Sequence, residues 1–156
     1  MALEIERKYL IDHNKWSKID KPDGKLYRQG YLVADENKTV RVRLTKSDAY
    51  LTIKGKTKDA TRDEFEYKIP VADAEQLLDT FSESELSKTR YEISYEGKLW
   101  EVDVFHDANE GLILAEIELD TEGERFELPD WVTKEVTNDP RYYNSNLTLL
   151  PFKKWN

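Results

Sequence analysis

Most of the chain alternates apolar and polar residues with a period of two. The alternation runs through 3–11, 26–33, 39–45, 50–54, 61–69, 87–95, 99–105 and 112–119. Its enrichment in β-branched and aromatic residues makes it the pattern of strands. Turn-forming clusters separate the runs: Pro22-Asp23-Gly24, Asp35-Glu36-Asn37, Lys46-Ser47-Asp48 and Tyr95-Glu96-Gly97. About eight strands suffice to close a small barrel. Three stretches read as helical. Residues 71–81 place Val71, Ala74, Leu77, Leu78 and Phe81 on one helical face, 121–126 is short and polar, and 139–150 sets Tyr142, Leu147 and Leu150 at roughly helical spacing. The expected class is α+β: an eight-stranded antiparallel β-barrel, a tunnel, with a few helices packed outside and at its ends. The length of 156 residues fits one domain, 1–156.

Composition narrows the function. Charged residues are 36% of the chain, with 32 acids against 24 Lys and Arg and a net charge of −8. Nine Tyr, five Phe and four Trp argue against disorder. The chain has no cysteine, which excludes disulfides, thiolate metal sites and cysteine nucleophiles. No apolar run approaches the ~18 residues that span a bilayer. The start, Leu3-Glu4-Ile5-Glu6-Arg7, carries acids where a signal peptide needs an apolar run. The expectation is a soluble, cytoplasmic protein, monomer or homodimer, with no membrane partner. The acidic balance disfavours duplex nucleic acid, although a local basic pocket is compatible with it.

The polar faces of the strands carry the chemistry. In chain order they offer Glu4, Glu6 and Lys8; Arg41 and Arg43; Lys54; Arg62, Glu64 and Glu66; Lys88 and Arg90; Glu101 and Asp103; Glu116 and Glu118. Residues at i and i+2 point to the same side of a strand. At this charge density one such pair arises by chance about one time in eight, and a single pair describes an ordinary solvated face. The set is harder to dismiss, because nearly every strand repeats it opposite a firmly apolar face. Ile5, Val40, Val42, Leu44, Leu51, Ile53, Val102, Val104, Ala115, Ile117 and Leu119 form that other face. If helices cover the apolar side, the charged side lines the interior. A charged lumen is costly to desolvate unless it stays wet or holds compensating ligands. Carboxylates without His or Cys suit Mg²⁺ or Mn²⁺. Clustered Arg and Lys suit phosphate. Together they describe a metal-dependent site for a polyanionic phosphate, and a triphosphate has the charge and the oxygens for it.

Read in order, Glu4-Ile5-Glu6-Arg7-Lys8, Arg41-Val42-Arg43, Thr52-Ile53-Lys54, Glu64-Phe65-Glu66, Lys88-Thr89-Arg90, Glu101-Val102-Asp103 and Glu116-Ile117-Glu118 resemble the strand motifs of the CYTH family, the triphosphate tunnel metalloenzymes, which open on ExExK. The tail, from Glu135-Val136-Thr137 to Asp139-Pro140-Arg141-Tyr142, resembles the short bacterial members. The resemblance implies a tunnel-forming barrel that acts on triphosphates with a divalent metal. It implies Glu4, Glu6 and Glu118 as metal ligands with Glu116 close by, and Lys8, Arg41, Arg43, Lys54, Lys88 and Arg90 as phosphate ligands. Glu64, Glu66, Glu101 and Asp103 have three possible uses: a second metal, a positioned water, or pairing with the bases. The leading activity is hydrolysis of inorganic tripolyphosphate, with nucleoside triphosphates as slower substrates. A class IV adenylyl cyclase, a thiamine triphosphatase and a non-catalytic triphosphate-binding module are the alternatives.

Two roles stay open for Lys88. Arg90 shares its face and should depress its pKa, so Lys88 either clamps phosphate or accepts a proton. Glu66 and Asp103 are the candidate acids for preparing the attacking water. Other features carry less. Gly55-Lys56-Thr57 ends like a phosphate-binding loop, but Tyr50 stands where its first glycine belongs. His13 and His106 lack ligand spacing, and Trp16, Trp100, Trp131 and Trp155 read as packing residues. Arg141 and Tyr142 either close one end of the tunnel or anchor the last helix.

Overall fold

The structure is a computed structural model that describes residues 3–155. Met1, Ala2 and Asn156, the ends of the expected 1–156 span, lie outside the described residues. Nine strands form one antiparallel sheet: β1 (Leu3–Ile11), β2 (Lys25–Ala34), β3 (Lys38–Leu44), β4 (Ala49–Gly55), β5 (Thr61–Lys68), β6 (Ser84–Tyr95), β7 (Lys98–Phe105), β8 (Ile113–Glu118) and β9 (Val132–Glu135). The order is β5-β4-β3-β2-β6-β7-β8-β1-β9, and a further pairing of β5 with β1 closes eight of them into a barrel. That seam is short: Leu3, Glu4 and Ile5 face Asp63, Arg62 and Thr61. Beyond it β1 turns its free edge to β9, with a register shift between Tyr9 and Ile11. The expected eight-stranded barrel is therefore present, with β9 as a ninth strand laid on its outside.

Among the described residues there are three α-helices: α1 (His13–Lys18), α2 (Val71–Phe81) and α3 (Asn144–Leu149). Asp12 caps α1 by accepting from the Lys15 amide at 3.0 Å. Helix α2 matches its expected span and buries Ala74 and Leu78 against Val42 and Ala49 of the barrel wall. It lies close because β2 has Gly30 beneath it, where a Cβ would stand 2.6 Å from Leu78 and 2.7 Å from Ser82. Residues 121–126 are not helical; Gly123 sits in a turn and no apolar stripe compensates the helix cost. The expected helix over 139–150 is broken. Pro140 opens a 3₁₀ turn through Tyr142, Tyr143 is extended (φ −67°, ψ 133°), and only α3 continues.

The outer face of the barrel is covered in parts. Over β1, β7 and β8, Ile5, Val102, Ala115, Ile117 and Leu119 pack with Tyr9, Trp16, Trp100 and Trp131. Rings meet edge to face there, Trp16 to Trp131 at 5.5 Å and Tyr9 to Trp100 at 5.6 Å. The outer face of β4 and β5 is different: Ile53, Phe65 and Tyr67 are exposed there, so the apolar side is not helix-covered throughout. No helix among the described residues is long and apolar enough to cross a membrane.

Strand parity sends the charged rows inward, and register stacks them. Glu6 faces Glu118 and Lys8 faces Glu116 across β1–β8. Arg90 faces Asp103 across β6–β7. Thr52 faces Glu66 and Lys54 faces Glu64 across β4–β5. At one end the inward rows turn apolar: Leu10, Leu86, Phe105 and Leu114 stand two residues from Lys8, Lys88, Asp103 and Glu116 on the same strands. The tail adds Tyr142 and Leu147 to this floor.

Candidate active site

The inward charges line one cavity of about 200 Å³. Its wall contains Glu4, Glu6, Lys8, Arg41, Arg43, Lys54, Glu66, Lys88, Arg90, Glu116 and Glu118. Of the candidates named from sequence, only Asp103 is not on the wall; it is fully buried behind it. Seven acids and seven bases line the cavity, so their formal charges cancel. The net −8 of the chain therefore lies almost wholly outside the lumen.

The charges are sorted into three groups. In the first, Lys54 Nζ donates to Glu4 at 2.9 and 3.0 Å and lies 3.4 Å from Glu64. Arg62 Nε donates to the same Glu4 at 3.2 Å. Burial alone would push the Glu4 pKa up, but Lys54 and Arg62 outweigh it and hold this carboxyl well below the usual carboxylate range. Glu4, Glu64 and Glu118 each present an oxygen within 4.8 Å of the others, a spacing that can hold a metal ion. An all-carboxylate donor set fits a hard divalent cation. This triad contains Glu64 and omits Glu6.

Glu6 belongs to a second group with Glu116 and Lys8. Burial raises the Glu6 pKa well above the ordinary value, and the negative charges of Glu116 and Glu4 raise it further. Burial also acts on Glu116, but Lys8 and Arg90 overcome it and keep Glu116 ionised. The two carboxyls are driven in opposite directions, Glu6 up and Glu116 down, because Lys8 and Arg90 favour the charge on Glu116. Lys8 lies 3.9 Å from Glu6 and 5.3 Å from the centre of the Tyr143 ring. Glu64 and Glu118 are also raised, by burial first and by Glu4 next. The acidic side is a set of carboxylates short of positive charge.

The third group is basic. Arg90 binds Asp103 with a two-toothed fork, Nε at 2.8 Å and Nη2 at 2.9 Å, and reaches Glu101 with Nη1 at 3.0 Å. Lys88 is 1% exposed and pairs with Asp103 at 2.9 Å. Its pKa falls to about 8, chiefly through burial; Asp103 resists the fall, while Arg90 and Arg43 add to it. The expected depression is present, with burial rather than Arg90 as its main cause. Arg41 donates to Thr52 at 3.1 Å, and Thr52 and both Arg41 and Arg43 converge on Oε2 of Glu66. The Tyr27 ring lies 4.9 Å from the Arg43 guanidinium and 5.4 Å from that of Arg90, which eases the closeness of two like charges.

Several lining residues were not foreseen. Arg62 was read on the polar face of its strand but not among the phosphate ligands. Tyr31, Tyr143, Asn144 and Ser145 also line the lumen. Tyr31 alternates in phase with Tyr27 and Gln29 along β2, so its strand pattern could have placed it. The three tail residues follow a break in helical spacing, and nothing in their order announces the lumen. Arg141 stays outside: it is exposed, paired with Asp139 at 2.7 Å, and lies over the rings of Tyr142 and Trp155. His106 contacts Thr89 at 2.7 Å, and His13 is exposed at the start of α1.

The comparisons agree with this geometry. An inorganic triphosphatase of Acetivibrio thermocellus is 46% identical over 156 residues, covering 99% of each chain. One of Nitrosomonas europaea is 34% identical over 154 residues, covering 94% of this chain and 97% of the other. The solved structure of the inorganic triphosphatase NE1496 superposes with a TM-score of 0.64 at 32% identity, covering 96% of both chains. The CYTH domain family matches residues 2–148, nearly the whole length. A charged barrel lumen built from seven strand motifs, and a family match of that extent, lead to one conclusion: the chain belongs to the CYTH family.

Proposed function

We propose that this protein hydrolyses inorganic tripolyphosphate to pyrophosphate and orthophosphate inside the barrel lumen, with Mg²⁺ or Mn²⁺ as the cation. One observation carries the reading: seven bases and seven acids converge on a single small cavity, with a metal-spaced carboxylate triad among them. The lining supports an inorganic substrate: its side chains are mostly charged and offer partners to phosphate rather than an apolar seat for a base or a thiamine. The related triphosphatases and their names point the same way.

In this reading Lys8, Arg41, Arg43, Lys54, Lys88 and Arg90 hold the phosphates, and Arg62 joins them. Glu4, Glu64 and Glu118 hold the cation, with Glu6 and Glu116 beside them. A bound divalent cation supplies positive charge to the phosphoryl oxygens as they develop charge. Glu66 engages its neighbours through Oε2 in each described contact, which leaves Oε1 to orient a water. Asp103 has both oxygens committed to Arg90 and Lys88, so its role is to hold those bases rather than to activate water. Lys88 sits between two acceptors that favour its ammonium form, and it acts as a phosphate clamp. Lys88→Arg should then keep substantial turnover; near-complete loss with a shifted pH profile would assign it as the proton acceptor.

The test is a panel of tripolyphosphate, ATP, thiamine triphosphate and pyrophosphate, each with Mg²⁺, Mn²⁺ and Ca²⁺. Tripolyphosphate should be the fastest substrate and release orthophosphate. Cyclic AMP from ATP would make the protein a cyclase, and tight binding of tripolyphosphate without turnover would make it a binding module.

A further inference from the structure

We infer that Asn144, delivered by the tail at the start of α3, is a positioning residue for Lys88. The inference shares the proposed activity for its kinetic readout only.

An ammonium donates three bonds and accepts none. Lys88 Nζ lies 2.8 Å from Oδ1 of Asn144, so the Lys88 charge dictates which end of the Asn144 amide faces it. Oδ1 of Asn144 also accepts from Gln29 Nε2 at 3.2 Å. Gln29 is fully buried, and its Nε2 donates onward to the Tyr31 hydroxyl oxygen at 3.0 Å. Rotating the Gln29 amide would set its carbonyl oxygen against the Asn144 oxygen, so the orientation of Gln29 is dictated in turn. Its own Oε1 stays buried without a partner. A buried acceptor left unsatisfied costs free energy, which the rest of the chain must offset. The structure tolerates that cost to keep one polarity from Lys88 through Asn144 and Gln29 to Tyr31, a residue on the cavity wall.

The other groups facing Lys88 do not replace this contact. Asp103 on β7 takes one donor direction at 2.9 Å. Arg90 on its own strand and Arg43 on β3 repel it, Glu116 on β8 attracts it from further away, and the Phe105 ring lies 5.8 Å off. Asn144 takes the second direction, and the third is left for the cavity that Lys88 lines. Without Asn144, only the more distant Glu116 opposes the pull of Asp103, and Nζ is drawn back from the lumen. The tail thus reaches across 56 residues of sequence to aim a base set on a strand.

Asn144→Ala should lower kcat for tripolyphosphate by on the order of tenfold, the scale seen for partners that orient a functional group, while KM moves within about twofold. Asn144→Asp keeps the side-chain volume and serves if the alanine variant does not fold. Its added carboxylate should shift the Lys88 limb of the pH profile to higher pH. In protein labelled with ¹⁵N-lysine, the Lys88 Nζ resonance should move in both variants, whatever the substrate. Asn146→Ala, two residues along α3, is the control: its side chain donates to the Pro140 carbonyl at 2.7 Å and should leave kcat unchanged. An unchanged kcat, a rise in KM alone, an unmoved Nζ resonance, or an equal loss in Asn146→Ala would overturn the inference. If the wild-type protein failed to turn over tripolyphosphate, the functional reading would fall while the resonance still decided Asn144.

Discussion

The barrel interior has two halves made from the same strands. Toward the floor, Leu10, Leu86, Phe105 and Leu114 meet Tyr142 and Leu147 in close apolar packing. Two residues along each strand the same inward rows carry Lys8, Lys88, Asp103 and Glu116. The floor gains free energy from removing apolar area from water. The charged half gains little from burial, because the desolvation of each ion consumes most of what its partner returns. Raised pKa values at Glu6, Glu64 and Glu118 mark where partners fall short. A barrel can therefore carry a functional interior only when another part of it carries stability.

Substitutions in the two halves should separate these roles. Arg90→Met takes both fork bonds from the buried Asp103, leaves it Lys88 alone, and should cost about 3–5 kcal/mol of stability in chemical denaturation, with turnover lost as well. Leu114→Ala opens a void in the floor and should cost about 2–5 kcal/mol, yet the folded fraction should retain its rate. If Leu114→Ala removed turnover per folded molecule, the two halves would not be separable.

The next effect is pH-linked. Glu6, Glu64 and Glu118 have folded-state pKa values above their unfolded ones. The folded state then binds more protons than the unfolded state above the ordinary carboxylate range, so stability falls as pH rises through the raised values. A cation relieves the repulsion among the ionised carboxylates. Calorimetry with Mg²⁺ against EDTA should show stabilisation at pH 8 of about 2.7 kcal/mol at a hundredfold excess over Kd, and much less at pH 5. Equal stabilisation at both pH values would place the cation away from these acids.

The smallest effect lies on the outside. Arg7 pairs with Glu135 at 3.0 Å between partly exposed side chains and ties β1 to β9. Arg7→Ala should cost no more than about 1 kcal/mol and leave turnover intact.

The sequence made the lumen legible where parity governed it. Each of the inward charges sits on a strand whose alternation forces the choice of side, and the turn at Glu96-Gly97 takes the positive φ that Gly97 favours. Elsewhere the signal failed for physical reasons. α1 spans only six residues, too few to show a period, and β9 is a four-residue strand beside a register shift. Asn144 and Tyr143 enter the cavity because the chain returns from far away in sequence, which no local pattern encodes. Glu64 and Glu6 were told apart by neither parity nor charge, since both face inward; only the three-dimensional spacing puts Glu64 and not Glu6 within metal-ligand distance of Glu4 and Glu118.

The central claim is that the charged half of the lumen is a cation-dependent triphosphate site. The direct measurement is tripolyphosphate turnover against free Mg²⁺, with EDTA as the zero, for the wild-type protein and Glu4→Gln side by side. The amide keeps one acceptor, at the oxygen shared by Lys54 and Arg62, and replaces the other, which accepts from Lys54 alone, so the substitution removes the charge while keeping the side-chain volume. Orthophosphate should be released only with the cation, and the variant should lose about 10²-fold or more at saturating Mg²⁺. Turnover by Glu4→Gln at the wild-type rate, with the same Mg²⁺ dependence, would contradict the claim.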